Sequence, residues 1–416
     1  MRIIFASTFY YRRGGLEAYL FKVKELLEQH GHEVIPFSTN HYKNDQSNYA
    51  EYFCTYYDLS QKGVSQHTLS SKVQAVMNMF FNAEAYRNIK NLCTDIKPDI
   101  VQGFGVARSL SYSIFKAAKS INIPTVMRLS DYSLLCPNIL AMDGWGEICS
   151  DFACSRQNLL KILRRKCIHN SMAATLIGEL EFMFNTITKT YKKHVDYFIA
   201  PSRFLQRAFI KYFNLAPERI IYLPIFFDCT NIQSSETDEG YFLYAGRMSR
   251  EKGVMTLLRA AGKGNRPSLI LAGMGPKEKE FREYADKHNL NVRFVGFQGF
   301  KDLQSLIKNC RAVIVPSECY ENSPNIVLEA YAYGKPVIGS YIGGIPEIVL
   351  ERETGLTFQA GNENDLNEKI EYLYKHKDIA RAMGENARVF LEKEWNAEKH
   401  YHRLMEFYKI AKGHDV

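Results

Sequence analysis

Twelve short apolar, β-branched runs punctuate the chain, and most of them end in Gly, Pro or Ser and give way to sequence of helical period. Six fall in the first half (RIIFAS, HEVIPFST, DIVQGF, PTVMRLS, DYFIAPS, RIIYLP) and six in the second (YFLYAG, SLILAG, VRFVGF, AVIVPS, PVIGS, GLTF). Strands that alternate with helices need crossover connections, and crossovers of one hand build parallel, doubly wound sheets. A chain of 416 residues exceeds one ordinary core. A polar break at 230–240 separates the two sets. The pattern therefore predicts an α/β protein with domains over 1–228 and 229–395. An amphipathic tail at 396–416, with Tyr401, Leu404, Phe407 and Tyr408 on its apolar face, is long enough to lie across either one.

Chemistry concentrates in one stretch, 315–347. The run AVIVPS reads as a buried strand. Ser323-Pro324 reads as a helix start, a hydroxyl cap followed by a residue that needs no N–H donor. Gly334 and Pro336 read as its stop. Glu321 then stands at the mouth of that helix and Glu329 inside it, spaced E-x7-E. A helix N-terminus at the carboxyl end of a parallel strand favours anions. One carboxylate near a reacting sugar and one on a ribose, with phosphates between, suits a nucleotide sugar. Three further turns follow strand ends of the same half: Gly246-Arg247 with Lys252 five residues on, Gly273 to Gly275, and Gly343-Gly344. The guanidinium and ammonium are a candidate diphosphate clamp. In the first half the corresponding turn carries Gly14-Gly15, at the entry to a helix over 15–30 that buries Leu20, Val23, Leu26 and Leu27. Further helices are predicted over 106–120 and 203–213 in the first half, and over 363–376, 378–393 and 398–412 in the second.

Charge divides unevenly. The first 228 residues hold 27 Lys and Arg against 19 Asp and Glu, the remainder 26 of each. An acidic substrate or an anionic membrane surface facing the first half fits this bias, whereas no nucleic-acid recognition motif accompanies it. Leu159, Leu160, Ile162, Leu163 and Ile168 alternate with Lys161, Arg164, Arg165 and Lys166 as a basic amphipathic helix, and Lys189, Lys192 and Lys193 form a second basic cluster. No apolar run reaches the length of a membrane span, and MRIIFAST lacks the features of a signal peptide. With nine cysteines, the expectation is reduced thiols in the cytoplasm. Cys136, Cys149, Cys154 and Cys167 lack a C-x2-C knuckle, so no metal site is expected. The tyrosine-rich segment 41–66 reads as a surface lid.

The ordered set GRMSREKG, LAGMGP, VRFVGF, PSECYENSPNIVLEA, GKPV and GGIPEIV resembles the retaining glycosyltransferase family 4, of GT-B architecture, and FYYRRGGLEAYL, DYSLLCPN and DYFIAPSRFL resemble its acceptor domain. The resemblance covers nearly the whole chain. It implies two Rossmann-like domains facing across a cleft, with the last helix crossing back to the first. It implies a metal-independent hexosyl-type transferase with no cofactor beyond its co-substrate, a nucleotide-diphosphate sugar. Arg247 and Lys252 would hold the diphosphate, Glu321 would contact the sugar, and Glu329 the ribose. Gly246, Gly275, Ser323, Pro324 and Asn325 would line the donor, and Gly15 would face it from the other domain. Gly14, Ser130 and Asp131 would contact acceptor or sugar. Many members carry histidine where this chain has Ser130, which shifts the chemistry toward the second domain and the donor's own phosphate. The acceptor would be a saccharide, free or on a polyprenyl diphosphate, in lipopolysaccharide or other surface polysaccharide synthesis. A catalytically impaired nucleotide-sugar-binding subunit and a nucleotide-sugar isomerase remain open beside this reading.

Overall fold

A computed structural model describes residues 1–58, 68–149, 152, 164–168, 170–264 and 267–413. The chain divides into two compact units, one made of Met1–Pro201, Gln206–Leu223 and Tyr401–Val416, the other of Ser202–Leu205 and Pro224–His400.

The first unit is built on six parallel strands, β1 (Arg2–Ser7), β2 (Glu33–Phe37), β3 (Ile100–Phe104), β4 (Thr125–Arg128), β5 (Tyr197–Ala200) and β6 (Ile220–Tyr222), in the order 2-1-3-4-5-6. β3 and β4 are buried at every residue. Helices cover both faces of a parallel sheet, so even Gln102, Thr125 and Arg128 of these strands are buried. The helices are α1 (Gly15–Gln29), α2 (Leu69–Phe80), α3 (Ala83–Ile96), α4 (Ser113–Lys119), α5 (Met172–Thr188), α6 (Thr190–His194) and α7 (Arg203–Tyr212). α1 buries Leu20, Val23, Leu26 and Leu27, as its period requires.

The helix expected over 106–120 is shorter, confined to Ser113–Lys119. Arg108 and Ser111 take left-handed φ angles of 71° and 55°. The Ser111 hydroxyl accepts the N–H groups of Asn82 and Ser113, at 3.2 and 3.3 Å, a local bonding pattern that competes with helical turns. Of the segment expected as a lid, 41–58 packs onto this unit: Cys54 bridges Thr39, and the Tyr52 hydroxyl donates to Asp95 at 2.7 Å. Its remainder lies outside the described residues. So do Cys154 and most of the basic helix expected near 159–168. Cys136, Cys149 and Cys167 are buried.

The second unit repeats the design with β7 (Phe242–Ala245), β8 (Leu269–Ala272), β9 (Val292–Gly296), β10 (Ala312–Val315), β11 (Val337–Ser340) and β12 (Gly355–Phe358), ordered 12-11-10-7-8-9 and all parallel. Counted from its own first strand this is the dinucleotide-fold order, reversing direction between β7 and β10. Its helices are α8 (Val254–Ala261), α9 (Glu278–Lys287), α10 (Phe300–Asn309), α11 (Asn325–Ala332), α12 (Glu363–Lys375) and α13 (Lys377–Glu394). Leu257 and Leu258 from α8, Phe281 from α9 and Leu366 and Leu373 from α12 close a core over Ile314.

The final helix, α14 (Ala397–Ala411), begins in the second unit and from Tyr401 onward is part of the first. There the Tyr401 ring stacks on His30 with centroids 3.6 Å apart, and Lys412 reaches Asp99 at 2.6 Å. The fully buried Tyr408 hydroxyl donates to Gln102 on β3.

Two carboxyl groups of α5 are buried. Glu181 is met by Arg108 at 3.4 Å and by the Asn185 amide at 2.8 Å. Glu179, only 1% exposed, has a carboxyl oxygen (Oε2) with no hydrogen-bond partner among the described residues, and burial pushes its pKa up to about 7. The folded chain thus retains a proton that the unfolded chain gives up near the ordinary glutamate value, so stability falls as pH rises between the two and is level above. Across that window Glu179 should contribute a loss of about 3 kcal/mol to the stability that urea unfolding reads in the parent protein. Glu179→Gln should flatten the slope and raise stability at neutral pH. A parallel slope in the variant would assign the titration elsewhere.

Candidate functional site

The carboxyl ends of β7 and β10 lie where the strand order of the second sheet reverses, the place where open α/β sheets bind ligands. Backbone contacts between the loops that follow β7, β8, β10 and β11 shape it. After β7 the chain turns through Gly246-Arg247, and the buried Met248 fixes that turn. Its N–H donates to the Met274 carbonyl at 2.9 Å, and its own carbonyl accepts the Lys277 N–H at 3.0 Å. A Cβ on Gly273 would lie 1.9 Å from the Gly246 carbonyl oxygen, and one on Gly275 would lie 2.3 Å from that of Met248. Both glycines are therefore required by the neighbouring loop, a reason internal to the unit and separate from the donor contact expected of Gly275.

The chain then makes one tight turn over Arg250–Lys252 and leaves it through Gly253, at a φ of 67°. A Cβ here would sit 1.7 Å from the Pro316 carbonyl oxygen, while the Glu318 N–H donates to the Glu251 carbonyl at 2.9 Å. Lys252 is thereby held beside the loop that follows β10. In that loop Glu321 bonds to the Lys252 ammonium, and the Ser317 hydroxyl donates to the same carboxylate oxygen at 2.9 Å. Ser340, at the end of β11, donates to the Ser317 carbonyl at 2.7 Å. From the other side Gly344 donates its N–H to the Glu321 carbonyl at 2.6 Å, and Gly343 has a φ of 60° with no room for a Cβ beside Glu321. The Gly-Gly turn after β11 thus sets the backbone of Glu321.

Ser317 and Gly253 were not singled out as site residues. Their only sequence signals are a serine just past a strand end and a glycine directly after the lysine.

The side chains of Lys252 and Glu321 are 30% and 16% exposed. Burial opposes the ammonium charge, but the Glu321 carboxylate more than offsets it, so the Lys252 pKa rises above its ordinary value. Lys252 stays charged throughout the physiological range. An ammonium has three donors; Glu321 takes one, which leaves the others for a second anion. Burial, and next the Glu321 charge, push the Cys319 thiol up to about 12. This thiol is neutral and packs as an apolar group. Arg247 is exposed, and its guanidinium has no hydrogen-bond or ion-pair partner among the described residues. Its carbonyl accepts the Tyr244 hydroxyl at 2.7 Å.

Helix α11 begins one residue later than expected. Pro324, extended at ψ 118°, occupies the N-cap position in place of Ser323, and no side chain caps the helix. A proline ring disfavours helical backbone in the residue before it, and Ser323 is that residue. The stop is as expected: Gly334 at φ 68° donates to Tyr331 and Lys335 to Ala330, both at 3.0 Å, a paired closure that satisfies the last carbonyls. Asn325 and Glu329 are four residues apart on α11 and so share a face; both are half-buried.

The first-unit candidates occupy the carboxyl ends of β1 and β4. Gly14 precedes α1 in extended conformation (φ −161°), and the nearest atom to an added Cβ is a Glu17 oxygen at 3.6 Å. Nothing in its own unit demands a glycine there. Gly15 is exposed as the first residue of α1. After β4 come Ser130 and Asp131, whose carboxylate accepts the Ser133 N–H at 2.9 Å.

Replacing Gly253 by alanine should introduce both left-handed strain and a backbone clash. The expected cost is about 2–4 kcal/mol of stability, read as a fall in thermal midpoint. An unchanged midpoint would mean that the Lys252 turn is free to move away from Pro316.

Residues 230–390 match the model of the family described as glycosyl transferases group 1. Among curated proteins, an uncharacterised glycosyltransferase of Methanocaldococcus jannaschii is 32% identical over 160 residues, 38% of this chain and 45% of that one. The O-antigen chain mannosyltransferase C of Escherichia coli is 30% identical over 163 residues, 38% and 44% of the two chains. The aligned part of this chain thus spans less than half of either relative. Among solved structures, Anabaena HepE in complex with UDP superposes with a TM-score of 0.67 at 16% identity, covering 99% of this chain and 100% of that one. The fold is that of GT-B glycosyltransferases, and the second unit matches the model of the glycosyl transferases group 1 family over residues 230–390.

Proposed function

We propose that the protein is a retaining glycosyltransferase that moves a sugar from a nucleotide-diphosphate donor to a saccharide acceptor. The observation that carries this reading is the Lys252–Glu321 pair, fixed between three loops at the reversal point of a dinucleotide-type sheet. Lys252 retains donors for a diphosphate oxygen, and the exposed Arg247 supplies a second cation that has no partner to give up among the described residues. Glu321, held by Lys252 and Ser317, presents its second oxygen to a sugar hydroxyl. Glu329, one turn beyond Asn325, suits the vicinal hydroxyls of a ribose.

In the reaction the bond from the anomeric carbon to the diphosphate breaks. The acceptor oxygen bonds to that carbon on the same face, and its proton passes to an oxygen of the departing phosphate. Arg247 and Lys252 stabilise the charge on the leaving diphosphate, the largest single contribution such a site can make. No metal is required in this scheme, and turnover that survives a chelator is its test. The relative that extends an O-antigen and the neighbour that binds UDP point to a surface polysaccharide acceptor and to UDP as the first nucleotide to try. The lack of crowding at Gly14 is consistent with a turn kept open for a substrate.

Thermal shift with UDP, GDP, ADP and their sugar conjugates, without metal, tests the reading directly. Arg247→Ala and Lys252→Ala should each weaken the stabilising nucleotide by about 10–100-fold, the value of a charge-assisted hydrogen bond. Affinity unchanged in both variants would remove the diphosphate from this position. Glu321→Gln should lower turnover more than donor affinity; the reverse would make it a binding residue only. Sugar conversion without any acceptor would favour an isomerase.

A further inference from the structure

Helices α2 and α5 of the first unit pack together through Phe80 and Phe184, whose ring centroids are 5.5 Å apart. Each also presents an apolar stripe outward. On α5 the exposed large residues are Met172, Leu176, Leu180, Met183 and Ile187, the last 73% exposed. Their spacing of four, four, three and four keeps them on one face for the length of the helix, about 25 Å. On α2 they are Leu69, Val73 and Met77, again four apart and each more than half exposed. Inward-facing positions of α5 are not purely apolar, since they include Thr175, Glu179 and Glu181. The helix thus turns its acids inward and its large aliphatics outward, the inverse of a helix that ends at solvent.

The charges around this surface are of one sign. Over 68–80 and 164–194 the described residues include two acids, Glu179 and Glu181, and both are buried. The cations are Lys72 on α2, Arg164, Arg165 and Lys166 ahead of α5, and Lys189, Lys192 and Lys193 after it. Ile168 meets Gly178, and the Ile168 N–H donates to the Thr175 hydroxyl at 3.1 Å, which seats the first basic group against the start of α5. Lys189 is the residue that ends it. The stripe is therefore bounded by cations at both ends.

We propose that the exposed faces of α2 and α5 form a docking surface for an anionic lipid bilayer, with the aliphatic stripes entering the interface and the flanking cations meeting headgroup phosphates. Basic flanks with a broad aliphatic face are what an interfacial helix requires. Protein interfaces concentrate aromatic and arginine anchors at their centre, and the two stripes contain none. No helix among the described residues is long and apolar enough to cross a membrane, so attachment would be peripheral. The surface lies wholly within the first unit and is independent of the nucleotide reading.

The test is flotation of the full chain with vesicles of phosphatidylcholine alone and of phosphatidylcholine mixed with phosphatidylglycerol. The parent should float with the anionic vesicles and be released by salt. Leu180→Glu with Ile187→Glu on α5, and separately Leu69→Glu with Met77→Glu on α2, should each weaken binding by about tenfold or more. Arg164→Glu with Lys193→Glu should weaken it on anionic vesicles. All these positions except Met77, Leu180 and Ile187 flank the stripe or begin it, and all are exposed, so thermal midpoint and nucleotide response should be those of the parent. A parent that does not float, or stripe variants that float equally well, would overturn the proposal. So would a parent that sediments as a dimer without lipid and becomes monomeric in the stripe variants, since the face would then belong to a second copy.

Discussion

The Lys252–Glu321 pair depends on backbone that cannot move. Four loops from four strand ends approach so closely that Gly253, Gly273, Gly275, Gly343 and Gly344 all lie where a Cβ would collide with a neighbouring carbonyl. Main-chain hydrogen bonds from Met248, Glu318 and Gly344 then fix the register between them. A lysine on a free loop would lose much of its charge-pairing energy to side-chain entropy and solvent. Here the turn that carries it is already ordered by the fold, and the carboxylate it meets is oriented by Ser317. The cost of placing two charges together is met during folding, before any ligand arrives.

The architecture was legible because it rests on a period. Buried parallel strands must be apolar on both faces, so runs such as AVIVPS and SLILAG stand out without any tertiary information. Departures occurred where a side chain redirected the backbone. The shortened α4 traces to the Ser111 hydroxyl and the left-handed Arg108, and nothing in VARSLSYS announces either. The shifted start of α11 traces to one proline ring. In the candidate site, Arg247, Lys252 and Glu321 were readable as charged residues after strand ends, and Glu329 as one on the helix that follows. Their interdependence was not. Ser317 acts through a contact four residues along a loop, and Gly253 through a carbonyl more than sixty residues distant, which no local pattern encodes.

The two units use their glycines differently. In the second unit they answer to neighbouring backbone. Gly14, at the equivalent turn of the first, is extended and uncrowded, so the packing of its own unit does not require its small size. The exposed aliphatic faces of α2 and α5 raise the same question on a larger scale: surface that internal packing leaves unexplained has to be explained by what comes to it.

The membership of α14 sets an order of events. Tyr401, Phe407, Tyr408 and Lys412 complete the first unit by covering His30, Tyr197, Gln102 and Asp99, yet the main segment of the second unit precedes them in the chain. The second unit is contiguous apart from Ser202–Leu205 and leaves the ribosome nearly whole. A nascent chain therefore carries the first sheet with one helix missing and the Gln102 side chain without its partner until the second unit has been made. A chain cut short before Tyr401 would have a first unit that never closes.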